Sequence, residues 1–194
     1  MSSSLRWRVA IVDDHERSRA ALRAAIWSAG GEVIGEATRC ADAVVKIKGW
    51  SPDIAVVAVG LPDGDGTEPA AELAAAAHCA IVLFTSHTEA RVVRRAADAG
   101  VMAYLLKPLR PEEVAPTLDI ALARFREVQA LRRALEERKL IERAKGTLMD
   151  RYRLTEDEAF RRMRRAAMDS RRPMVDVARA VLVSESVAGT GPDG

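Results

Sequence analysis

Short apolar runs alternate with amphipathic helical patterns in the first half of the chain. Apolar runs of this length are typical of strands that are buried on both faces of a parallel sheet. The helical patterns between them favour α/β architecture, a doubly wound five-stranded parallel sheet with helices on both faces. The predicted strands are residues 7–12, 32–37, 54–59, 80–85 and 102–106, and the predicted helices are residues 18–29, 40–50, 68–77 and 89–99.

The pattern becomes purely helical after residue 110. Between Thr117 and Met149 there is no proline, and Gly146 is the single glycine, so one long helix is predicted. Apolar residues recur there at steps of three and four, which is the spacing of a coiled-coil seam. We expect a coiled-coil helix over residues 117–138 that joins two chains as a homodimer, although an intramolecular helical hairpin also fits. The seam consists of Leu118, Leu122, Phe125, Val128, either Leu131 or Arg132, and Leu135.

Two shorter helices follow the long one. Thr155 and Glu158 have the spacing of a capping box, which predicts a helix start after a loop at residues 150–154. The helix that follows has an apolar stripe beside pairs of arginines, and Pro173 separates it from a last helix. The second half of the chain is therefore predicted to form an all-α three-helix module over residues 135–183.

Composition excludes two classes of protein. The chain has 194 residues, 48% of them hydrophobic, but its longest apolar or glycine run, residues 54–61, is too short to cross a membrane. Its start has no apolar stretch of signal-peptide length, so we expect a cytoplasmic protein. Two cysteines and three histidines are too few for a disulfide framework or a zinc site. Residues 184–194 offer little to bury and are predicted to be a disordered tail.

Charge is distributed unevenly along the chain. Residues 1–123 contain 13 Lys and Arg against 16 Asp and Glu, whereas residues 124–179 contain 17 against 10. A basic helical segment behind an acidic domain indicates contact with nucleic acid. A solvated, arginine-rich coiled-coil face is the alternative explanation of the same charges.

Polar side chains lie where three of the predicted strands end. Asp13 and Asp14 follow the first strand, Thr85 ends the fourth, and Lys107 follows the fifth. Because the carboxyl ends of parallel strands meet at one edge of a sheet, we expect these residues to share a pocket. Carboxylates are ligands that Mg²⁺ prefers, and a lysine beside them can neutralise a phosphoryl oxygen.

The same residues carry a family pattern. In order along the chain, residues 9–15, 52–66, 84–86 and 104–108 read VAIVDDH, PDIAVVAVGLPDGDG, FTS and YLLKP. On these stretches, residues 1–123 resemble a bacterial response-regulator receiver domain, which has a flavodoxin-like fold. The resemblance implies a magnesium site of two aspartates and a backbone carbonyl, a switch pair and a lysine that contacts the phosphoryl group. These residues are, in that order, Asp13 and Asp14, Gly60, Thr85 and Tyr104, and Lys107.

One position departs from the receiver pattern. The family carries its phospho-accepting aspartate six residues after the proline that Pro52 matches, and this chain has Ala58 there. Alanine supplies neither a nucleophile nor a carboxylate, so we expect no phosphorylation at this position and only a weak magnesium site. No cofactor is then required. Asp63 or Asp65 in the following loop is an alternative acceptor, and the alanine is either natural or introduced by substitution.

A second family pattern follows. Residues 138–149 read RKLIERAKGTLM, the capping box leads into Ala159-Phe160, and residues 163–167 read MRRAA. On these residues the stretch 135–183 resembles the ANTAR domain, the RNA-binding output module of transcription antitermination regulators. The resemblance implies a dimer whose modules bind RNA hairpins and stabilise an antiterminator over a terminator.

The residue types of this module suit RNA. Arginine guanidinium groups bind phosphates and stack on bases, and small residues let a backbone or base come close. The predicted RNA-binding residues are Arg143, Ala144, Lys145, Gly146, Arg164, Arg165, Arg171 and Arg172. In the alternative, Ala144 and Gly146 pack against the neighbouring helix and only Lys145 faces RNA. Tyr152 is expected to pack in the core rather than to stack on a base.

These patterns predict a non-enzymatic antitermination regulator that binds RNA hairpins, forms a homodimer and works without phosphorylation. A protein regulator or a sensor kinase would then control it. The rival interpretation is a protein-interaction module whose receiver titrates a signalling partner, with RNA binding vestigial. DNA binding is not expected, since no helix-turn-helix pattern is found, and no membrane partner is expected.

Overall fold

The structure is a computed structural model, and it describes residues 6–76, 79–86 and 100–188. The chain divides into two compact units, Met1–Gln129 and Ala130–Gly194. The helix predicted at residues 89–99 lies outside the described residues. Within them, no helix is long and apolar enough to span a membrane.

The first unit is built on a five-stranded parallel sheet. Its strands are β1 (Arg8–Val12), β2 (Glu32–Ala37), β3 (Ile54–Ala58), β6 (Ala80–Thr85) and β7 (Ala103–Leu106), in the order β2-β1-β3-β6-β7. All neighbouring strands in this sheet are parallel. The predicted α/β fold and the five strands, each within one residue of its predicted ends, are confirmed.

Helices cover both faces of the sheet. They are α1 (Glu16–Ser28), α2 (Cys40–Trp50), α3 (Thr67–Ala75) and the first part of α4 (Pro111–Tyr152). Alternate residues of β1 point to opposite faces, so that Val9 and Ile11 pack with α1 and α4 while Ala10 and Val12 pack with α2 and α3. The sheet therefore separates two hydrophobic cores, as a doubly wound fold requires.

A short antiparallel hairpin that the sequence analysis did not predict follows β3. It consists of β4 (Gly60–Leu61) and β5 (Gly64–Asp65). Gly66 closes the turn against the end of β3, where a Cβ atom would lie 1.8 Å from the carbonyl oxygen of Ala58. The absence of a side chain at position 66 is thus what allows this loop to pack over the strand end.

The first half of the predicted coiled-coil seam packs within the first unit. Leu118 is fully buried and Leu122 is 8% exposed, and Phe125 packs against the same core under the sheet. Leu131 and Leu135, by contrast, are 66% and 53% exposed. The expectation of a seam that begins at Leu118 is wrong, because a helix docked on its own sheet requires the same three–four spacing as a coiled coil.

The second unit contains the end of α4, α5 (Glu156–Ser170) and α6 (Met174–Ala188). Its core is formed by Ala144, Leu148, Ala159, Met163 and Ala178. The capping box is confirmed: the Thr155 hydroxyl accepts from the Glu158 N–H at 3.4 Å, and the Glu158 carboxylate accepts from the Thr155 N–H at 2.8 Å.

Two predicted boundaries in the second unit differ from the structure. The long helix continues to Tyr152, so the predicted loop at residues 150–154 is shorter and turns at Arg153, where φ is 53°. The last helix continues to Ala188, five residues into the predicted disordered tail of residues 184–194. The additional helical residues, 150–152 and 184–188, include neither proline nor glycine, so no residue there stops the helix earlier.

Candidate receiver pocket and nucleic-acid interface

The first candidate site lies at the carboxyl edge of the parallel sheet. A cavity of about 330 Å³ opens there, next to the ends of β6 and β7. Functional side chains of open parallel sheets collect at this edge because the strand-to-helix loops meet there. The cavity is lined by His15, Ser18, Gly60, Phe84, Thr85, Ser86 and Lys107.

Asp13 is a buried carboxylate with two partners in this pocket. Its Oδ1 accepts a hydrogen bond from the backbone N–H of His15 at 2.8 Å, and its Oδ2 lies 2.7 Å from the ammonium of Lys107. That ammonium also lies 4.8 Å from the ring centroid of Phe84. Asp14 is only half-buried and lies 2.7 Å from Nδ1 of His15. The charge of the buried carboxylate is therefore balanced by a lysine of the same chain.

The acidic residues beside this pocket lie close together, and one of them already has a charged partner. Ligand atoms of Asp13, Asp14 and His15 lie within 4.8 Å of one another. Oδ1 of Asp13 accepts a hydrogen bond from His15, whereas Oδ2 is paired with Lys107 by charge and accepts no hydrogen bond from the described residues. Position 58 adds no carboxylate. A magnesium ion bound by Asp13 would share that carboxylate with the ammonium of Lys107, and the two positive charges would repel each other. The weak magnesium site predicted from Asp13, Asp14 and the carbonyl of Gly60 stays a prediction.

The remaining predicted pocket residues occupy different environments. Ala58 is fully buried at the end of β3, beside Phe84 in the sheet. Thr85 is 4% exposed, whereas Tyr104 is 50% exposed. The structure thus places the hydroxyl of Thr85 at the pocket and leaves the tyrosine ring open to solvent.

The two alternative acceptors are engaged in capping helices. The carboxylate of Asp63 accepts hydrogen bonds from the N–H groups of Cys40 and Ala41 at 2.8 and 3.1 Å, at the start of α2. These two bonds hold the pKa of Asp63 below its ordinary value. Asp65 accepts from the N–H of Thr67 at 2.9 Å, where α3 begins. Both carboxylates therefore have structural roles at helix N-termini.

The second candidate site is the basic surface of the three-helix unit. Five of its predicted RNA-binding residues are exposed arginines, and among the residues that the structure describes none of the five has a carboxylate within 4.0 Å. They lie on the end of α4, along α5 and in the turn that follows it. These residues are Arg143, Arg164, Arg165, Arg171 and Arg172.

Lys145 is placed differently from what the sequence predicts. Its side chain is 90% buried, and its ammonium lies 2.8 Å from the carboxylate of Glu142 and 2.7 Å from that of Glu156. The hydrogen bond to Glu142, and after it the hydrogen bond to Glu156, raises the pKa of Lys145. In this geometry the lysine links α4 to the start of α5 and does not face solvent. The structure therefore corrects the expectation that Lys145 is exposed to RNA.

The two small residues beside Lys145 also differ from each other. Ala144 is fully buried in the core of the unit, so it follows the packing alternative. Gly146 is half-buried, and a Cβ atom built on it would meet nothing within 4 Å. Packing inside the unit therefore accounts for the alanine and leaves the glycine without a steric reason.

Tyr152 was expected in the core and is instead 45% exposed at the end of α4. The guanidinium carbon of Arg162 lies 4.6 Å from the centroid of its ring, and that of Arg151 lies 5.6 Å away. Arg162 comes from α5, ten residues along the chain, so no local pattern pointed to this contact. Sequence reasoning therefore missed an exposed aromatic surface within the basic unit.

Comparisons with known proteins agree with both halves of this description. A family model described as the response regulator receiver domain matches residues 9–119, and one described as the ANTAR domain matches residues 129–182. The transcriptional regulatory protein PdtaR of Mycobacterium tuberculosis (strain CDC 1551 / Oshkosh) is 39% identical over 182 residues, which is 90% of this chain and 89% of PdtaR.

Solved structures resemble the first unit. The signal receiver domain of a modulated diguanylate cyclase from Desulfovibrio desulfuricans G20 is 30% identical with a TM-score of 0.57, over 62% of this chain and 96% of that one. The signal receiver domain of NarL from Mycobacterium tuberculosis is 31% identical with a TM-score of 0.56, over 61% and 98%. The flavodoxin-like fold of the first unit is therefore shared with these receivers.

Proposed function

Because the chain belongs to the response regulators that join a receiver domain to an ANTAR domain, we propose that it is an RNA-binding antitermination regulator whose receiver acts without phosphorylation at position 58. In this proposal it binds RNA hairpins in the cytoplasm and favours an antiterminator over a terminator. RNA binding rests on the arginines of α5, and independence of phosphorylation rests on Ala58 and Lys107.

The observation that carries RNA binding is the set of unpaired arginines. Arg164 and Arg165 are consecutive on α5, and Arg171 and Arg172 follow at its end. All four are exposed, and none has a carboxylate within 4.0 Å in the part of the chain that the structure describes. A guanidinium group that already pairs with a carboxylate would have to give up that partner before it bound a phosphate. These four groups have no such cost, and each can contact a phosphate or stack on an unpaired base.

Hairpin loops are the RNA class that this surface suits. Base edges of an A-form duplex are hard to reach, because its major groove is deep and narrow, whereas unpaired loop bases can be splayed out. Guanidinium planes and an exposed aromatic ring recognise such bases by stacking. A loop-directed regulator can then stabilise one of two alternative hairpins in a transcript.

A homodimer would present two such surfaces. Leu131 and Leu135 lie four residues apart on α4 and are mostly exposed, so the described residues do not cover this apolar stripe. Burying this stripe against a second copy would form a short coiled coil. In the proposed homodimer, the seam therefore lies in the part of α4 beyond Gln129.

Phosphorylation-independence rests on Ala58 and Lys107. A methyl group at position 58 cannot accept a phosphoryl group, and the ammonium of Lys107 is engaged by Asp13. Asp63 and Asp65 cap helices, so neither is a free substitute. Control would then come from a protein partner, such as a regulator or a sensor kinase that docks on the receiver, and no catalytic step is assigned to the chain.

The test is a fluorescence anisotropy titration of the full chain without a phosphodonor. The RNA is a labelled two-hairpin molecule whose loops are selected from a random-loop library on the unsubstituted protein, with a loop-scrambled RNA and duplex DNA as competitors. We expect loop-dependent binding that weakens steeply with salt, since phosphate contacts release counterions. Arg164→Ala with Arg165→Ala should weaken binding and reduce the salt slope.

The matched control is Arg17→Ala, which removes an exposed arginine from α1 in the receiver unit. It should leave RNA affinity and salt slope unchanged. If no RNA is selected, or if the control weakens binding as much as the α5 pair, RNA binding by this surface is refuted. The first result would favour the rival function, in which the receiver binds a signalling protein and RNA binding is vestigial.

A further inference from the structure

Tyr152 is an aromatic residue that the packing of its unit does not use. The three-helix core is formed by aliphatic side chains and methionines of α4, α5 and α6, and Tyr152 is not part of it. Tyr152 is 45% exposed, so a ligand can reach it. A tyrosine offers a flat apolar face and a polar hydroxyl, which suits it to binding at a surface.

Two arginines lie over the ring. Arg162 approaches it at 4.6 Å and Arg151 at 5.6 Å, and neither arginine has a carboxylate within 4.0 Å among the described residues. These cation–π contacts limit the rotation of the ring, so the orientation of the tyrosine is set before a ligand binds. An aromatic face flanked by unpaired positive charges is complementary to a flat, electron-rich group joined to phosphates.

Within the RNA-binding function proposed above, on which this step depends, we propose that Tyr152 and Arg162 form a stacking platform for one unpaired base of the RNA loop. The base replaces Arg151, the more distant of the two guanidinium groups, on the ring. Arg151 is then released to contact a backbone phosphate next to the stacked base. Tyr152 contributes affinity that depends on an unpaired base, while the arginines of α5 contribute affinity that depends on phosphate charge.

The two contributions respond differently to salt. Base–aromatic stacking is a short-range contact between uncharged surfaces, and it tolerates any base because every base has a π-face. Phosphate neutralisation by arginine is opposed by salt. A tyrosine variant should therefore shift the whole salt-dependence curve to weaker binding without changing its slope, whereas an arginine variant changes the slope.

The experiment uses the full chain and the loop-selected two-hairpin RNA in three forms: unmodified, with single abasic sites across the loop, and with 2-aminopurine at single loop positions. Tyr152→Leu keeps apolar bulk and removes the π-face, and Tyr152→Phe keeps the π-face and removes the hydroxyl. Trp27→Leu is the matched control, because Trp27 is an exposed aromatic residue of the receiver unit. Circular dichroism of each variant checks that the helices are retained.

We expect Tyr152→Leu to weaken binding by about 5- to 150-fold, the range for loss of one base–aromatic stack, with the salt slope unchanged. Tyr152→Phe and Trp27→Leu should bind within about twofold of the unsubstituted chain. At one loop position, an abasic site should weaken the unsubstituted protein and add nothing to Tyr152→Leu. The 2-aminopurine at that position should be quenched on binding to the phenylalanine variant and not to the leucine variant.

Two outcomes overturn the platform and are distinguishable from failure of the proposed function. If Tyr152→Leu binds the selected RNA as tightly as the unsubstituted chain, or if it loses affinity equally for every abasic RNA, RNA binding stands and the platform is refuted. If Tyr152→Leu loses helical signal, the test relies on Tyr152→Phe instead. If binding of Tyr152→Phe does not quench the 2-aminopurine, the platform is also refuted. Absence of any selected RNA refutes the proposed function itself.

Discussion

The ammonium of Lys107 lies 2.7 Å from the carboxylate of Asp13, whose side chain is 1% exposed. The two residues follow different strands of the sheet, β7 and β1, and the pair joins them across the pocket. A buried carboxylate is costly unless a charge of opposite sign and a hydrogen-bond donor satisfy it, and here the lysine and the N–H of His15 do so. The ammonium of Lys107 thus balances the buried charge within the chain itself, while Oδ2 of Asp13 accepts no hydrogen bond from the described residues.

Lys107→Met should therefore destabilise the receiver unit. It leaves the Asp13 charge buried without its partner, and we expect a loss of about 2–3 kcal/mol in the free energy of unfolding, below the value for a fully buried pair because the lysine is partly exposed. Adding Asp13→Asn should recover part of this loss. Urea denaturation measures both changes. Lys46→Met is the control, because Lys46 pairs with Asp42 at an exposed site, and it should change the free energy of unfolding by no more than about 0.5 kcal/mol. An equal loss in the control would contradict the role of the buried pair.

Acetyl phosphate should not label the unsubstituted chain. The methyl group of Ala58 has no nucleophilic oxygen, and Asp63 and Asp65 are engaged by helix N–H groups. Ala58→Asp should gain an acid-stable, base-labile label when magnesium is supplied. Intact-protein mass spectrometry after acid quench reads out both proteins. Stoichiometric labelling of the unsubstituted chain would show that another residue accepts the phosphoryl group.

Asp63 should make stability depend on pH through its capping bonds. Its pKa is lowered in the folded state, from an ordinary value of 3.8, by the N–H groups of Ala41 and Cys40. The stabilisation is thus fully present above pH 3.8 and is lost as the pH falls through the lowered folded pKa. The difference in unfolding free energy between the unsubstituted chain and Asp63→Ala should be largest at neutral pH and shrink below 3.8. A difference that stays constant across this range would contradict the charged cap.

Charged substitutions on α4 should separate folding from dimerisation. Leu122→Glu places a carboxylate in the receiver core and should abolish cooperative unfolding of that unit. Leu131→Glu with Leu135→Glu alters exposed positions, so the fold should be kept while the mass from light scattering falls from dimer to monomer. An unchanged dimer mass in the double variant would place the dimer contact elsewhere.

Gly146→Ala should stabilise the three-helix unit and weaken RNA binding. A Cβ atom at this position meets nothing within 4 Å, and alanine favours a helix over glycine by about 1 kcal/mol. A gain in unfolding free energy with a loss of affinity for the selected RNA would mean that the free space is used by the ligand. Denaturation and anisotropy titration measure the two effects. Unchanged affinity would show that RNA does not approach the glycine.

Local sequence patterns predicted the elements that local physics determines. The five strands follow from short apolar runs, and the start of α5 follows from Thr155 and Glu158, whose contacts span three residues. Contacts between distant positions were not predictable in this way. Asp63 caps a helix that begins 23 residues earlier, and Lys145 pairs with Glu156 across the turn between two helices.

The candidate sites show the same division. The sequence placed Asp13, Thr85 and Lys107 at one edge of the sheet, because the ends of buried parallel strands can be recognised from their apolar runs. It did not distinguish a lysine that faces solvent from one that is neutralised inside its unit, since both occur on a basic helix. It also assigned Leu118 to a dimer seam, because periodicity identifies a buried helix face without identifying what buries it.

The close approach of Gly66 to β3 involves the backbone of Ala58 and not its side chain. Any side chain there would collide with the carbonyl of Ala58, so folding alone selects glycine at position 66, whether or not the pocket takes part in signalling. Folding likewise retains Asp63 as a helix cap. The backbone around position 58 is therefore held by contacts that stabilise the fold itself, and these contacts do not require a carboxylate at that position. A substitution of the Ala58 side chain should leave the strand end and the hairpin that follows it in place.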